Sequence, residues 1–241
     1  MADIVEPGGQ LADGGPSDTY KLHRDPRSSH QRIARYLSRQ GRTPILDVGC
    51  ASGQLGRLLA GSGLTLDGIE PNESAARSAQ PFYRSIQSTR IEDAELPDGA
   101  YPMVVCADVL EHTPDPEAVL RRLVAASTAD ATFVISLPNV AHLAARLLLL
   151  AGSFPRHERG IFDRTHLHFY TRSTALATVQ SAGLTVTSLG TTPVPLEDVW
   201  PAALGSATRE VAMRLQVAGS SVAPTLFAFQ WLIVARRSEA A

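Results

Sequence analysis

Apolar and polar positions follow two alternating rhythms along this chain. Short, nearly continuous apolar runs occupy positions 45–48, 64–69, 102–107 and 131–136, the pattern of strands buried on both faces. Helical patterns lie between them: 55–60, 72–80 with Asn72 as cap, and an amphipathic stretch from Pro116 to about Ala126. A third strand is expected in the gap before 102, where the chain reads Arg90-Ile91-Glu92-Asp93, the poorest match of the set. Upstream, Pro26 and Ser28 or Ser29 open a helix that carries Ile33, Ala34 and Leu37 on one face and ends at Gly41. Downstream come a short apolar helix (140–150), a helix over 172–182 stopped by Gly183, and a strand over 184–189. An irregular, proline-interrupted stretch (191–201), a helix (202–217) and a last strand (227–235) complete the order. Strand and helix in strict alternation predict an α/β, doubly wound sheet with mostly parallel strands.

Glycine punctuates the first strand–helix junction. Asp47 is followed by Gly49, Cys50, Ala51, Gly53 and Gly56. A strand, a tight glycine turn and a helix start leave backbone N–H groups pointing at the strand end, a pocket for a polar cofactor. The spacing G-x-x-x-G-x-x-G is not the G-x-G-x-x-G of dinucleotide sites. Asp47 would repel a pyrophosphate and tolerate a cofactor with a positive centre. Glu70 ends the second strand 17 positions beyond Gly53, near the separation at which a strand-end acid grips ribose hydroxyls.

Composition narrows the picture further. The 241 residues are 44% hydrophobic and carry a net charge of -2, which gives no electrostatic support for long nucleic acid as a partner. Two cysteines, Cys50 and Cys106, end two buried strands and read as free thiols of a reducing compartment. Residues 1–18 are polar and rich in Pro and Gly, without the pattern of a signal peptide; we expect a mobile tail there and one domain over 19–241. The longest apolar run, 140–151, contains His142 and Arg146 and is too short for a membrane span. A cytoplasmic protein is the expectation.

The stretch Ile45 to Gly56 resembles the first motif of class I S-adenosylmethionine-dependent methyltransferases, with Ala51 in place of a glycine. Asp108-Val109-Leu110-Glu111-His112, Leu137-Pro138-Asn139-Val140 and Gly160 to Tyr170 extend the resemblance to a subgroup of glycan and small-molecule O-methyltransferases. It implies a seven-stranded Rossmann-like sheet with an antiparallel last strand and S-adenosylmethionine as cofactor. Asp47, Gly49, Cys50, Gly53, Leu55, Glu70, Pro71, Ile91, Glu92, Asp108 and Val109 are the cofactor-binding residues it implies. In the third-strand motif Arg90 stands where an adenine-binding acid is usual, so Glu92, Asp93 or the Ile91 backbone would serve. Tyr20 and His23 are candidates to cover the site.

A sulfonium already carries a good leaving group, so positioning of the nucleophile carries most of the catalysis. A carboxylate or amine acceptor needs little activation, whereas a sugar hydroxyl needs a base or a metal. Asp108, Glu111 and His112 stand at i, i+3, i+4 and would face one way on a helical turn. The set is similar to the acid-x-x-Glu-His metal motif of small-RNA ribose methyltransferases and quinone-biosynthesis O-methyltransferases, with His166 or His168 as the downstream partner and Mg²⁺ or Mn²⁺ as the ion. Without a metal, His112 or His166 is the candidate base, beside Glu111. The expected acceptor is a hydroxyl of a sugar, glycan or related small metabolite. A carboxylate, nitrogen or phenol acceptor, and a non-catalytic cofactor-binding protein, stand as alternatives.

Overall fold

The computed structural model describes residues 25–201 and 204–238, without the side chains of 198 and 199. The expected tail, Tyr20 and His23 lie outside the described residues. Helix α1 (Ser29–Gln40) precedes the sheet and ends at Gly41 in the left-handed conformation. The alternating part then runs β1 (Ile45–Val48), α2 (Gln54–Leu59), β2 (Leu66–Ile69), α3 (Glu73–Ala79), β3 (Ser85–Gln87), β4 (Tyr101–Ala107), α4 (Pro116–Ala126) and β5 (Ser127–Pro138). It continues with α5 (Leu143–Leu150), α6 (Arg172–Ser181), β6 (Leu184–Thr192), α7 (Leu196–Val199), α8 (Gly205–Val222), α9 (Pro224–Phe227) and β7 (Gln230–Arg237).

The seven strands lie in the order β3-β2-β1-β4-β5-β7-β6. The pairs β1 to β2, β1 to β4, β2 to β3 and β4 to β5 are parallel, and β7 runs antiparallel to both β5 and β6. This is the doubly wound sheet with an antiparallel last strand that the sequence predicts. Alternate residues of β4 serve opposite faces: Val104 and Cys106 pack with Leu120, Leu123 and Val179, while Met103 and Val105 pack with Ile33, Leu37 and Leu55. One expectation fails. The third strand is Ser85–Gln87, not the Arg90–Asp93 stretch, which forms a turn closed by a bond from the Asp93 N–H to the Arg90 carbonyl. The isolated apolar Ile86 carries too little pattern to mark a strand of three residues.

The β1–α2 junction bends through three residues with positive φ: Gly49 at 68°, Ala51 at 47° and Gly53 at 83°. Ala51 therefore sits, with a Cβ, where left-handed backbone costs an L-residue roughly 1–2 kcal/mol. Ala51→Gly should raise unfolding stability by about 0.5–1 kcal/mol despite the entropy glycine adds to the unfolded chain. Ala51→Val should lower it by more than about 1 kcal/mol. Urea unfolding of the three proteins reads both signs. Equal midpoints would show that the turn stores no strain.

Candidate active site

The carboxyl ends of β1, β2 and β4 converge on the glycine turn. Asp47 is 3% exposed, and its Oδ2 accepts a hydrogen bond of 2.5 Å from the Tyr83 hydroxyl. That hydroxyl in turn accepts from the Gly56 N–H at 3.3 Å. Burial raises the Asp47 pKa to about 7; the Tyr83 bond opposes the rise and the nearby Glu70 adds to it. Glu70 follows β2 and is 8% exposed. Its Oε2 accepts from the Ala51 N–H at 2.9 Å and its Oε1 from the Asn72 N–H at 2.8 Å. Burial raises its pKa, against the pull of those two amides. Each Glu70 oxygen keeps a lone-pair direction free for a hydroxyl donor, which fits a ribose.

The other expected cofactor residues divide. A Cβ at Gly49 would lie 2.6 Å from Val109 Cγ2, so these two residues abut at the β1 and β4 ends. Cys50 is buried against β2, where a Cβ on Gly68 would meet its Sγ at 2.8 Å, and burial pushes its thiol pKa up. Leu55 and Ile91 point into the two cores, so their side chains serve packing. Pro71 and Glu92 are exposed, directly after β2 and within the 90–93 turn.

At the end of β4 the chain turns through Asp108, a non-glycine residue at φ 57°. The Asp108 carboxylate accepts from the Ser136 hydroxyl at 2.8 Å and from Gln230 Nε2 at 2.9 and 2.8 Å. The positive φ ends any helical run before it starts, and Leu110–His112 forms one 3-10 turn. Asp108 thus leaves the set expected from its i, i+3, i+4 spacing: it is held by β5 and β7.

Glu111, His112 and His166 do come together, each offering a ligand atom within 4.8 Å of the others. The segment carrying His166 is bound to this corner through its backbone, since Leu167 and His168 N–H donate to the Glu111 carbonyl at 2.8 and 3.2 Å. His168 instead donates through Nε2 to the Thr113 carbonyl at 3.0 Å, a fastening outside the cluster. His166 Nδ1 donates to the Ile161 carbonyl at 3.2 Å, and its Nε2 lies 4.0 Å from Glu111 Oε1. His112 Nδ1 donates toward the Thr165 carbonyl and hydroxyl oxygen at 3.3 and 3.1 Å, while that hydroxyl donates to Asp163 at 2.6 Å. Both imidazoles are left with Nε2 as the lone-pair nitrogen, oriented as metal-binding or proton-accepting histidines are. The rings stand edge to face, 4.8 Å between centroids.

Glu111 is the unusual member. It is 0% exposed, and neither carboxylate oxygen has a hydrogen-bond partner. Burial first, then the Asp108 charge, raises its pKa well above the ordinary carboxylate range. Burial and the neighbouring His112 lower the pKa of His166. A divalent cation fits this set: one carboxylate without donors and two imidazoles with outward-fixed Nδ1 protons. Sequence reasoning missed Tyr83, Ser136, Gln230 and Thr165, because each acts on a partner far away in the chain.

Asp47 carries a pH signature. Its folded pKa of about 7 exceeds the ordinary value of 3.8, so the folded state holds a proton that the unfolded chain has lost. Its contribution is full below about pH 4 and lost as pH rises toward 7. Asp47→Asn keeps an acceptor for Tyr83 and removes the charge. The variant should match wild type near pH 4 and exceed it by a few kcal/mol at pH 8 in urea unfolding without cofactor. A constant gap across that range would show Asp47 ionised throughout.

Comparison with known proteins adds the family. Residues 20–189 match the methyltransferase domain. The ubiquinone biosynthesis O-methyltransferase of Thiobacillus denitrificans is 37% identical over 83 residues, 32% of this chain and 36% of that protein. Its namesake from Chromobacterium violaceum is 37% identical over 99 residues, 37% of this chain and 41% of that protein. The chain thus spans about two fifths or less of the length of the curated relatives it matches. Among solved structures, magnesium protoporphyrin IX methyltransferase from Synechocystis with bound SAH superposes with a TM-score of 0.61 at 18% identity, over 94% of this chain and 90% of that one. That likeness shows the fold, and the match over 20–189 shows more: the chain belongs to the methyltransferase-domain family, with S-adenosylmethionine as its cofactor.

Proposed function

We propose that this protein transfers the methyl group of S-adenosylmethionine to a hydroxyl oxygen of a sugar, glycan or related small metabolite. The observation that carries the reading is the Glu111–His112–His166 cluster at the β4 end, two residues beyond the Val109 that abuts Gly49. Carboxylate and amine acceptors need no such cluster; an alcohol does. The names of the O-methyltransferase relatives support oxygen as the atom methylated.

Glu70 is the residue that would hold the ribose hydroxyls, and the Gly49 turn would face the methionine part of the cofactor. S-adenosylmethionine would supply a methyl group on a sulfonium that leaves as a neutral thioether, so the protein has to place the acceptor oxygen in line with that methyl and take its proton. The acceptor proton passes to Nε2 of His166 or His112, whose Nδ1 protons are already committed to Ile161 and Thr165. The lowered pKa of His166 keeps it neutral, and so able to accept, at pH 7. In the alternative to this proton transfer, the same Nε2 atoms and Glu111 would hold Mg²⁺ or Mn²⁺, which would supply a lowered pKa to the acceptor hydroxyl.

Two measurements test the reading. Glu70→Ala should weaken S-adenosylmethionine binding by about tenfold or more in calorimetry, the loss of a charged hydrogen-bond pair. A folded variant with unchanged affinity would remove Glu70 from the cofactor site. His112→Ala and His166→Ala should each lower turnover of an alcohol acceptor by about 100-fold or more. With a metal, chelator abolishes turnover and Mg²⁺ or Mn²⁺ restores it. With a base alone, chelator has no effect, and the rate falls as pH drops through the His166 pKa, below the ordinary value of roughly 6.5. Full turnover in both histidine variants would point to an acceptor that needs no activation.

A further inference from the structure

Helix α5 and the loop after it expose a surface that the methyl-transfer reading does not use. Only Ala145 of the helix is buried. Leu143, Leu147, Leu148, Leu149 and Leu150 are all exposed, Leu150 by 84%. Among the described residues, nothing packs over these five leucines, and the helix buries one alanine. A stretch this apolar marks a surface that another phase or molecule covers.

The patch continues beyond the helix. Phe154, itself half exposed, packs edge to face on Phe162 and Phe169 at 4.9 and 5.5 Å between centroids. Those contacts anchor the α5 end to the loop that carries His166. Leu167, the next residue, is 58% exposed. The charges of the same segment are one-sided. Arg146, Arg156, Arg159 and Arg164 are exposed, against the single exposed acid Glu158, which pairs with Arg164 at 2.9 Å. The chain as a whole is acidic, with a net charge of -2, so this basic surface runs against its overall sign.

Exposed leucines and arginines within one stretch of chain, whose single exposed acid is paired, are complementary to the headgroup and acyl boundary of an anionic bilayer. No helix of the described residues is long and apolar enough to cross a membrane, and α5, at eight residues, spans about 12 Å. We infer that α5, Phe154 and Leu167 form an interfacial insertion surface that docks the protein on anionic lipid. The leucines enter the acyl boundary and the arginines meet the headgroup phosphates. Leu167 adjoins His166, so docking sets the catalytic cluster beside the lipid surface.

Co-sedimentation of the full-length protein with vesicles tests the proposal. Vesicles of phosphatidylcholine with about one third phosphatidylglycerol should pellet the protein, and pure phosphatidylcholine should pellet much less. Raising salt from about 0.1 M to about 0.5 M should release it in part. The Leu147→Glu, Leu150→Glu double variant should lose binding to both. These positions are exposed, so folding and S-adenosylmethionine affinity should stay at the wild-type level, which separates this test from that of the methyl-transfer site. Arg156→Ala with Arg159→Ala should weaken binding to the anionic vesicles about tenfold or more and leave the phosphatidylcholine value alone. No pelleting on either vesicle, or binding untouched by the leucine changes, would overturn the proposal. So would a concentration-dependent dimer, seen by sedimentation velocity, that the leucine changes dissolve while vesicles bind nothing.

Discussion

One aromatic ring organises the glycine turn at the end of β1. The Tyr83 hydroxyl bonds Asp47 and receives the Gly56 N–H, joining β1, α2 and the turn after α3. The ring also occupies the space that side chains would need elsewhere. A Cβ on Gly56 would come within 2.6 Å of it, on Gly68 within 3.2 Å and on Gly53 within 3.4 Å. Gly56 makes room for the tyrosine, whereas a Cβ on Gly68 would first meet Cys50 Sγ at 2.8 Å and one on Gly53 the Ala79 backbone at 2.9 Å. In a polar, partly closed corner, a phenol supplies bulk for the void and a donor for a buried carboxylate. Neither Phe, which lacks the donor, nor Ser, which lacks the bulk, would meet both needs.

That arrangement explains what could be read from the chain and what could not. The strands at 45–48 and 102–107 were legible because residues buried on both faces form unbroken apolar runs, and the alternation of strand with helix then follows. The glycine turn was legible as a turn, but its purpose was divided. Gly49 and Gly53 hold positive φ, whereas Gly56 leaves space for Tyr83, a residue that no local pattern sets apart, and Gly68 for Cys50. The cluster of Glu111, His112 and His166 was legible from residue type. Its geometry was not, because periodicity assumes a regular helix and the φ of 57° at Asp108 breaks that assumption. The three-residue strand β3 is shorter than any window in which alternation can be counted.

Electrostatics at the site follow the same division between backbone and side chain. The loop from Asp163 to His168 gives its amides to the Glu111 carbonyl and gives the Glu111 carboxylate none. Around Glu70 the opposite holds, with two amides committed to the carboxylate. Both acids are buried, yet one is held in place by donors and the other is left to find a proton or a cation. A fold can thus prepare two acids for different work with the same side chain and a different distribution of N–H groups.

The antiparallel strand β7 has a consequence in time as well as in space. Gln230, its first residue, supplies both hydrogen bonds from β7 to Asp108, 122 positions earlier. Asp108 is the residue whose strained backbone aims the chain toward Glu111 and His112. During synthesis the parallel strands and the glycine turn emerge first, and the corner at β4 waits for a strand made long afterwards. A chain halted before residue 230 would hold six of the seven strands and still lack the clasp on the turn that follows β4.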